Sequence, residues 1–218
     1  MNLWDEKIYS KKKHWNLVPF NEVISTVAKL TIGSVTSQYK ILEIGCGVGN
    51  NIIALAKQGF NCFGMDISHL AITEARNRCK TENIKVVLST GNVNSLNYPD
   101  NEFDFVIDRS VLTCTSHNVI QQSLKEIVRV LKPAGKLLAF DWYGLRHPDL
   151  FFGEKLLHDS FTKFSQGIFF DIPIITAFDF ENLIKYTEIF SKVEIRRSLL
   201  TDQIGKIYED KFKFIAIK

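Results

Sequence analysis

The stretch Ile41-Leu42-Glu43-Ile44-Gly45-Cys46-Gly47-Val48-Gly49 decides the fold of this chain. Four mostly apolar residues predict a short buried strand, and the glycines after them predict a tight turn that a ligand can approach closely. The residues from 50 to 58 then have the spacing of a helix, which Gly59 ends. About 20 residues beyond Gly45, Asp66 ends a second predicted strand, where a carboxylate can accept hydrogen bonds from both hydroxyls of a ribose. The stretch therefore predicts a nucleoside site on an α/β fold.

Outward from this stretch, predicted strands and helices alternate. Apolar runs predict strands over 41–44, 62–65, 85–89, 103–107 and 136–140, with helices over 50–58, 68–80 and 116–131 between them. This alternation is typical of a parallel sheet covered by helices on both faces. Beyond residue 143 we expect helices over 150–164 and 180–190 and strands over 192–200 and 211–218. The last two strands are too close in sequence for a parallel crossover, so they should form an antiparallel hairpin in a mixed sheet.

Composition and cysteine spacing argue against a nucleic-acid-binding, membrane-spanning, secreted or zinc-binding protein. The chain has 218 residues, a net charge of +3, 45% hydrophobic and 23% charged residues. Such a balance predicts one globular domain and gives no indication of a nucleic-acid or membrane surface. The residues at the start of the sequence do not have the pattern of a signal peptide, and we find no apolar run long enough for a membrane span. Four cysteines without zinc spacing favour free thiols, no metal and a cytoplasmic location.

The glycine spacing separates two kinds of nucleoside cofactor. A dinucleotide fingerprint requires G-x-G-x-x-G, whereas Asn50 stands at the third glycine position here. Glu43 precedes the loop, Gly91-Asn92-Val93 follows the third strand, and Leu131-Lys132-Pro133-Ala134-Gly135-Lys136 leads into the fifth. Together with the terminal hairpin, these motifs resemble the class I S-adenosylmethionine-dependent methyltransferases. The resemblance covers 40–140 in motifs and extends to residue 218 in strand pattern.

The resemblance implies an α/β fold with a Rossmann-like seven-stranded mixed sheet, helices on both faces and a last strand that is antiparallel in a C-terminal hairpin. It also implies S-adenosyl-L-methionine as cofactor, with S-adenosyl-L-homocysteine as product. Asp66 would bind the ribose, Ile67 and Val93 the adenine ring, and Asn92 the adenine amino group. The implied cofactor-binding residues are Glu43, Gly45, Gly47, Gly49, Asn50, Asp66, Ile67, Asn92, Val93 and Arg109.

Catalytic candidates follow the fourth and fifth strands, because ligands of such sheets bind beyond the carboxyl ends of the strands. We expect His117 or His147 to act as general base and Tyr143 to shape the acceptor pocket. Each histidine has the alternative of a purely structural role in a loop or helix cap.

The aromatic residues lie mostly outside the cofactor core, since few of the 17 Phe, 6 Tyr and 3 Trp lie between residues 40 and 140. We divide the single domain 1–218 into a lid at 1–38, a core at 39–143, an insertion at 144–190 and a hairpin at 191–218. The lid contains Trp4, Tyr9, His14, Trp15 and Phe20. The insertion contains Phe151, Phe152, Phe161, Phe164, Phe169 and Phe170, which we expect to roof an acceptor site.

Three functions compete. The first is methyl transfer to an oxygen or nitrogen of a small molecule, such as a metabolite of surface polysaccharides, by a monomer or homodimer without nucleic acid. The second is an NAD(P)-dependent oxidoreductase, which Asn50 and the terminal hairpin disfavour. The third is a nucleoside-binding protein without catalysis.

Overall fold

The computed structural model describes residues 3–11 and 15–218, so that His14 of the expected lid lies outside the described residues. The helices are α1 Leu3–Lys7, α2 Asn21–Leu30, α3 Asn50–Lys57, α4 His69–Thr81, α5 His117–Val130 and α6 Phe180–Thr187. The strands are β1 Lys40–Ile44, β2 Asn61–Asp66, β3 Val87–Thr90, β4 Phe103–Arg109, β5 Leu131–Tyr143, β6 Glu154–Lys155, β7 Ser160–Thr162, β8 Ile175–Thr176, β9 Lys192–Thr201 and β10 Ile207–Ile217.

The main sheet has the strand order β3-β2-β1-β4-β5-β10-β9 within the described residues. The pairs β2–β3, β1–β2, β1–β4 and β4–β5 are parallel, and β10 pairs with both β5 and β9 in antiparallel fashion. The predicted seven-stranded mixed sheet with a C-terminal hairpin is therefore confirmed. Because β1 and β4 are neighbours although β2 and β3 intervene in sequence, the strand order reverses there, at the edge where such sheets bind ligands.

The core has a layer on each face of the sheet. In β1, Leu42 and Ile44 pack into one apolar cluster and Ile41 into the other, as the two-residue period of a strand requires. Glu43 shares a face with Ile41 but is polar and buried. A buried carboxylate needs hydrogen-bond donors, so Glu43 is a candidate for a structural or binding role.

The insertion differs from the prediction. The expected helix over 150–164 is wrong: a short 3-10 helix at Pro148–Phe152 precedes the strands β6 and β7, and β7 pairs with β8. His158, Asp159 and Lys163 have positive φ values of 54°, 52° and 51°, which end any helix. The apolar spacing that suggested a helix instead serves a third cluster, in which Leu150 and Phe164 pack with Ile8 of the N-terminal segment.

In the described part of the chain, no helix combines the length and the apolar character that crossing a membrane requires. The four cysteines are free thiols, as the sequence predicts.

Candidate functional site

The glycine turn after β1 packs too closely for side chains. Gly45 has a φ of +59°, and a Cβ there would collide with the side chain of Val111 in the loop after β4. Gly47 has a φ of +54°, and its N–H donates to Oδ2 of Asp66 over 2.9 Å. Glycine tolerates this left-handed conformation at little cost, whereas other residues are strained in it. The turn thus brings the backbone of β1 directly against the end of β2.

Asp66 is held between two backbone donors at the end of β2. Its Oδ2 accepts from Gly47, and its Oδ1 accepts from the N–H of Ser68 over 2.8 Å. Burial raises the pKa of this carboxyl to about 6, although these hydrogen bonds lower it. The hydroxyl of Ser68 accepts from the N–H of Ala71 at the start of α4 and donates to the carboxylate of Asp5 in α1. The N-terminal segment is therefore attached to the loop that orients Asp66.

Glu43 acts on the turn indirectly. Its carboxylate accepts from Asn51 Nδ2 over 2.7 Å and from the N–H of Ile52 over 3.1 Å, at the first turn of α3. Burial raises the pKa of Glu43 to about 7. Oδ1 of Asn51 in turn accepts from the N–H of Phe20 over 2.8 Å. Glu43 thus connects the start of α3 to the chain that precedes α2.

Asn50 also connects α3 to the N-terminal segment, because its Nδ2 donates to the carbonyl oxygen of Val18 over 3.2 Å.

Earlier in the N-terminal segment, Trp4 and Tyr9 line a cavity at the carboxyl edge of the sheet. Burial raises the pKa of Tyr9, so its hydroxyl is protonated at neutral pH. The segment expected to be a lid thus contributes part of the cavity wall.

This cavity has a volume of about 270 Å³, and its lining includes residues at the carboxyl ends of β1, β2, β3 and β4. The expected cofactor residues that line it are Gly45, Asp66, Ile67, Asn92, Val93 and Arg109. The others, Glu43, Gly47, Gly49 and Asn50, are not among the described lining residues. Their contacts support the turn and the N-terminal segment instead.

The ends of β4 and β5 meet in a strained junction beside the cavity. Ser110 and Asp141 both have left-handed backbone conformations, with φ values of 58° and 53°. The Ser110 hydroxyl donates to the carbonyl oxygen of Asp141 over 3.1 Å. Arg109 forms an ion pair with Asp141 at 2.7 Å and lies over the ring of Phe20, 3.2 Å from its centroid. Backbone strain of this kind occurs often at functional sites, where the surrounding contacts maintain it.

Of the catalytic candidates, Tyr143 lines the cavity, and burial raises the pKa of its phenol. His147 lies behind it, with ring centroids 5.5 Å apart, and is buried. Nδ1 of His147 accepts from the N–H of Asp149 over 3.3 Å, and burial lowers the pKa of the imidazole. His147 is not among the described residues that line the cavity. Its contacts are those of a neutral residue that supports the loop after β5.

His117 lies elsewhere, at the start of α5. Its Nδ1 contacts the hydroxyl of Tyr186 in α6, and its ring stacks on His158 with centroids 4.8 Å apart. Burial lowers the pKa of His117. The described lining of the cavity does not include His117, so the two proposed bases are not brought together.

The predicted aromatic roof divides into three groups. Phe169 lines the cavity, Phe161 and Phe164 pack in the cluster beneath it, and Phe151, Phe152 and Phe170 are exposed. The sequence reasoning missed several lining residues, which are Val111, Thr115, Ile168, Ile172 and Ile175. Their sequence positions near the aromatic run and near strand four were a signal, but isolated apolar residues in loops and two-residue strands have no periodicity that distinguishes a pocket from a core.

Comparisons with known proteins agree with this geometry. Residues 41–135 match a family model described as a methyltransferase domain. A demethylmenaquinone methyltransferase of Tropheryma whipplei (strain Twist) is 36% identical over 118 residues, which are 54% of this chain and 46% of that protein. The chain spans about half the length of the curated relatives it matches, at 45% and 46% of two of them.

Solved structures match over most of the chain. A SAM-dependent methyltransferase from Methanosarcina mazei has a TM-score of 0.71 and 23% identity, with 92% of this chain and 99% of that chain covered. The PH0226 protein of Pyrococcus horikoshii has a TM-score of 0.67 and 22% identity, with 90% and 89% covered. At such identities, these structures show that the fold is shared.

Proposed function

We propose that the chain is an S-adenosylmethionine-dependent methyltransferase that methylates a small molecule, because residues 41–135 match the methyltransferase-domain family model and the Methanosarcina mazei structure shares the fold. One observation carries the proposal. Gly45, Asp66, Asn92 and Arg109, at or just after the carboxyl ends of four neighbouring strands, line a single cavity at this edge of the sheet.

The residues present fit this cofactor. The Asp66 carboxylate accepts from backbone N–H groups, among them those of Gly47 and Ser68, and a carboxylate has about four lone-pair sites, so it can accept from a ribose hydroxyl as well. Ile67 and Val93 offer apolar surface for an adenine ring, and the oxygen of the Asn92 amide can accept from its amino group. Gly45 has no side chain, so its backbone lines the cavity directly. When bound, S-adenosylmethionine supplies a methyl group on a positively charged sulfur, which keeps the bonding electron pair as the acceptor atom attacks.

The protein contributes position and the exclusion of water. Trp4 and Tyr9 cover the cavity from the N-terminal side, and Phe169 covers it from the insertion. Holding an acceptor in line for attack can contribute about 7–11 kcal/mol to lowering a barrier of this kind. We therefore assign most of the catalytic effect to these walls and to the junction that holds Arg109.

A general base remains a hypothesis. Tyr143 contacts the cavity, but its raised pKa makes it a neutral hydroxyl suited to orienting an acceptor by hydrogen bonding. His147 can act there through Tyr143, whereas His117 contacts Tyr186. We expect His117→Ala to slow turnover at saturating cofactor less than tenfold. A larger loss, without a fall in melting temperature, would restore His117 as the base.

Calorimetry with S-adenosylhomocysteine and with NAD separates methyl transfer from the oxidoreductase alternative. We expect binding of the former and none of the latter, and the reverse result would overturn the proposal. Release of S-adenosylhomocysteine in the presence of an acceptor panel then separates an enzyme from a nucleoside-binding protein. Binding without turnover for any acceptor would favour the latter.

The acceptor atom, the cellular location and the oligomeric state are also proposed. We propose an oxygen or nitrogen acceptor, with a polysaccharide metabolite as one candidate. We also propose a single domain that works in the cytoplasm as a monomer or homodimer without nucleic acid. Free thiols and a net charge of +3 support this, and light scattering of the purified chain measures the oligomeric state.

A further inference from the structure

The half of the cavity beyond β4 and β5 differs chemically from the half beside Asp66. Its walls come from the loop after β4, from the end of β5 and from the insertion. They are formed by Cys114, Thr115, Tyr143, Phe169, Ile172 and Ile175. Burial raises the pKa of Cys114 to about 12 and that of Tyr143 as well, so the thiol and the phenol are neutral at physiological pH. This half therefore offers apolar surface and a few uncharged hydrogen-bonding groups.

Charged groups on the described lining are already paired. Arg109 is engaged by Asp141 at 2.7 Å and by the ring of Phe20, and the carboxylate of Asp66 faces the glycine turn. Within residues 3–11 and 15–218, the lining includes no further charged side chain. An acceptor with a carboxylate or phosphate in this half would lose its hydration without gaining a partner of opposite charge, which is costly.

The apolar surface continues to the outside at the turn that Gly167 allows. Phe169 is buried in the roof, whereas Ile168 lines the cavity and is also 52% exposed, and Phe170 is 48% exposed. The N–H of Ile168 donates to Oδ2 of Asp149 over 2.7 Å, which attaches this turn to the neighbouring helix. On that helix Phe151 is 86% exposed. Exposed apolar side chains that adjoin a cavity mark binding surfaces.

We propose that the methyl acceptor is an uncharged, mainly apolar molecule, bound between Tyr143 and Phe169, with any longer apolar tail leaving the cavity past Ile168. This rests on the proposed methyl transfer and defines its substrate class. Such an acceptor differs from a phosphorylated or carboxylated metabolite. It also takes precedence over the polysaccharide metabolite named above, because the many hydroxyls of a sugar would meet few partners here.

Matched probes test the class of acceptor. Calorimetry in saturating S-adenosylhomocysteine compares para-propylphenol with para-hydroxyphenylpropionate, which has the same ring and chain length but carries a carboxylate, and with methyl glucoside. We expect the neutral phenol to bind at least tenfold more tightly than either of the others. Equal or tighter binding of the anion or the sugar, or no binding of the phenol, would overturn the inference. If S-adenosylhomocysteine itself does not bind, the proposed function fails first.

A pair of variants tests the location. Ile168→Asp introduces a charge at the mouth of the cavity, and Ile32→Asp introduces the same charge at a site that is 85% exposed in the turn after α2. We expect the first to weaken binding of para-propylphenol at least tenfold, with an unchanged melting temperature, and the second to leave it unchanged. Equal effects of the two substitutions would refute this location. If the Ile168 variant does not fold, Ile168→Asn replaces it in the same comparison.

Discussion

Protonation of Asp66 should control the affinity for S-adenosylhomocysteine. Burial raises the pKa of this carboxyl from 3.8 to about 6, and the ionised form is the better acceptor for two ribose hydroxyls. Binding should therefore be constant between about pH 7 and 8 and weaken as the pH falls through 6. At pH 5, one unit below this pKa, about one-tenth of the free protein is ionised. If only that form binds, the affinity is about tenfold lower than at pH 8.

Titration of Asp66 should not unfold the protein at low pH, so unfolding should not explain the lower affinity. Because the pKa of Asp66 is higher in the folded state than in the unfolded state, its neutral form favours folding at low pH. This contribution is fully present below about pH 4 and is lost as the pH rises through about 6. At pH 5, Asp66 therefore does not destabilise the protein.

The assay is calorimetric titration with S-adenosylhomocysteine at about pH 5, 6, 7 and 8, with the melting temperature recorded at each pH. Asp66→Asn is the matched variant, since an amide of similar shape cannot ionise in this range. We expect weak binding by the variant with no dependence on pH. A flat profile for the unmodified chain, or the same tenfold decrease in the variant, would refute the reasoning. In the second case Glu43, whose pKa is about 7, becomes the candidate for the group whose protonation weakens binding.

Other substitutions test the supports of the site. Gly45→Ala places a Cβ against Val111 and should destabilise the fold by about 1–3 kcal/mol, which thermal unfolding measures; a melting temperature equal to that of the unmodified chain would contradict it. Arg197→Ala leaves the buried carboxylate of Asp210 without its two 2.7 Å hydrogen bonds and should cost about 3 kcal/mol in urea unfolding, whereas a loss under about 0.5 kcal/mol would count against a structural ion pair. Tyr9→Ala opens the N-terminal wall and should weaken S-adenosylhomocysteine binding about tenfold by calorimetry, so unchanged affinity would argue against a covering role.

Local patterns were sufficient for the sheet and for the half of the site that includes Asp66. The strand before Gly45 and the carboxylate at the end of β2 depend on short-range spacing, which the sequence displays directly. The terminal hairpin also followed from the short connection between its strands, and β9 and β10 are antiparallel as expected.

The insertion and the catalytic residues were harder to predict. The 150–164 segment has helical spacing, but β6 pairs with β7, and β7 pairs with β8, which lies outside that segment. His117 has a suitable position after β4, yet Tyr186 of α6 determines where its ring lies. Contacts of this kind depend on elements far apart in the chain, and local propensity does not include them.

By itself the sequence determined the order of the strands of the main sheet and of the helices between them, the positions of the glycine turn and Asp66, and the resemblance to a methyltransferase family. These depend on hydrophobic period and on residues that permit particular backbone angles, which are local properties. Only the tertiary structure decided that α1 and the insertion share one apolar cluster and close a single cavity. The reason is physical: that cluster joins Ile8 to Phe169, so its burial exists only once the chain has brought the N-terminal segment and the insertion together.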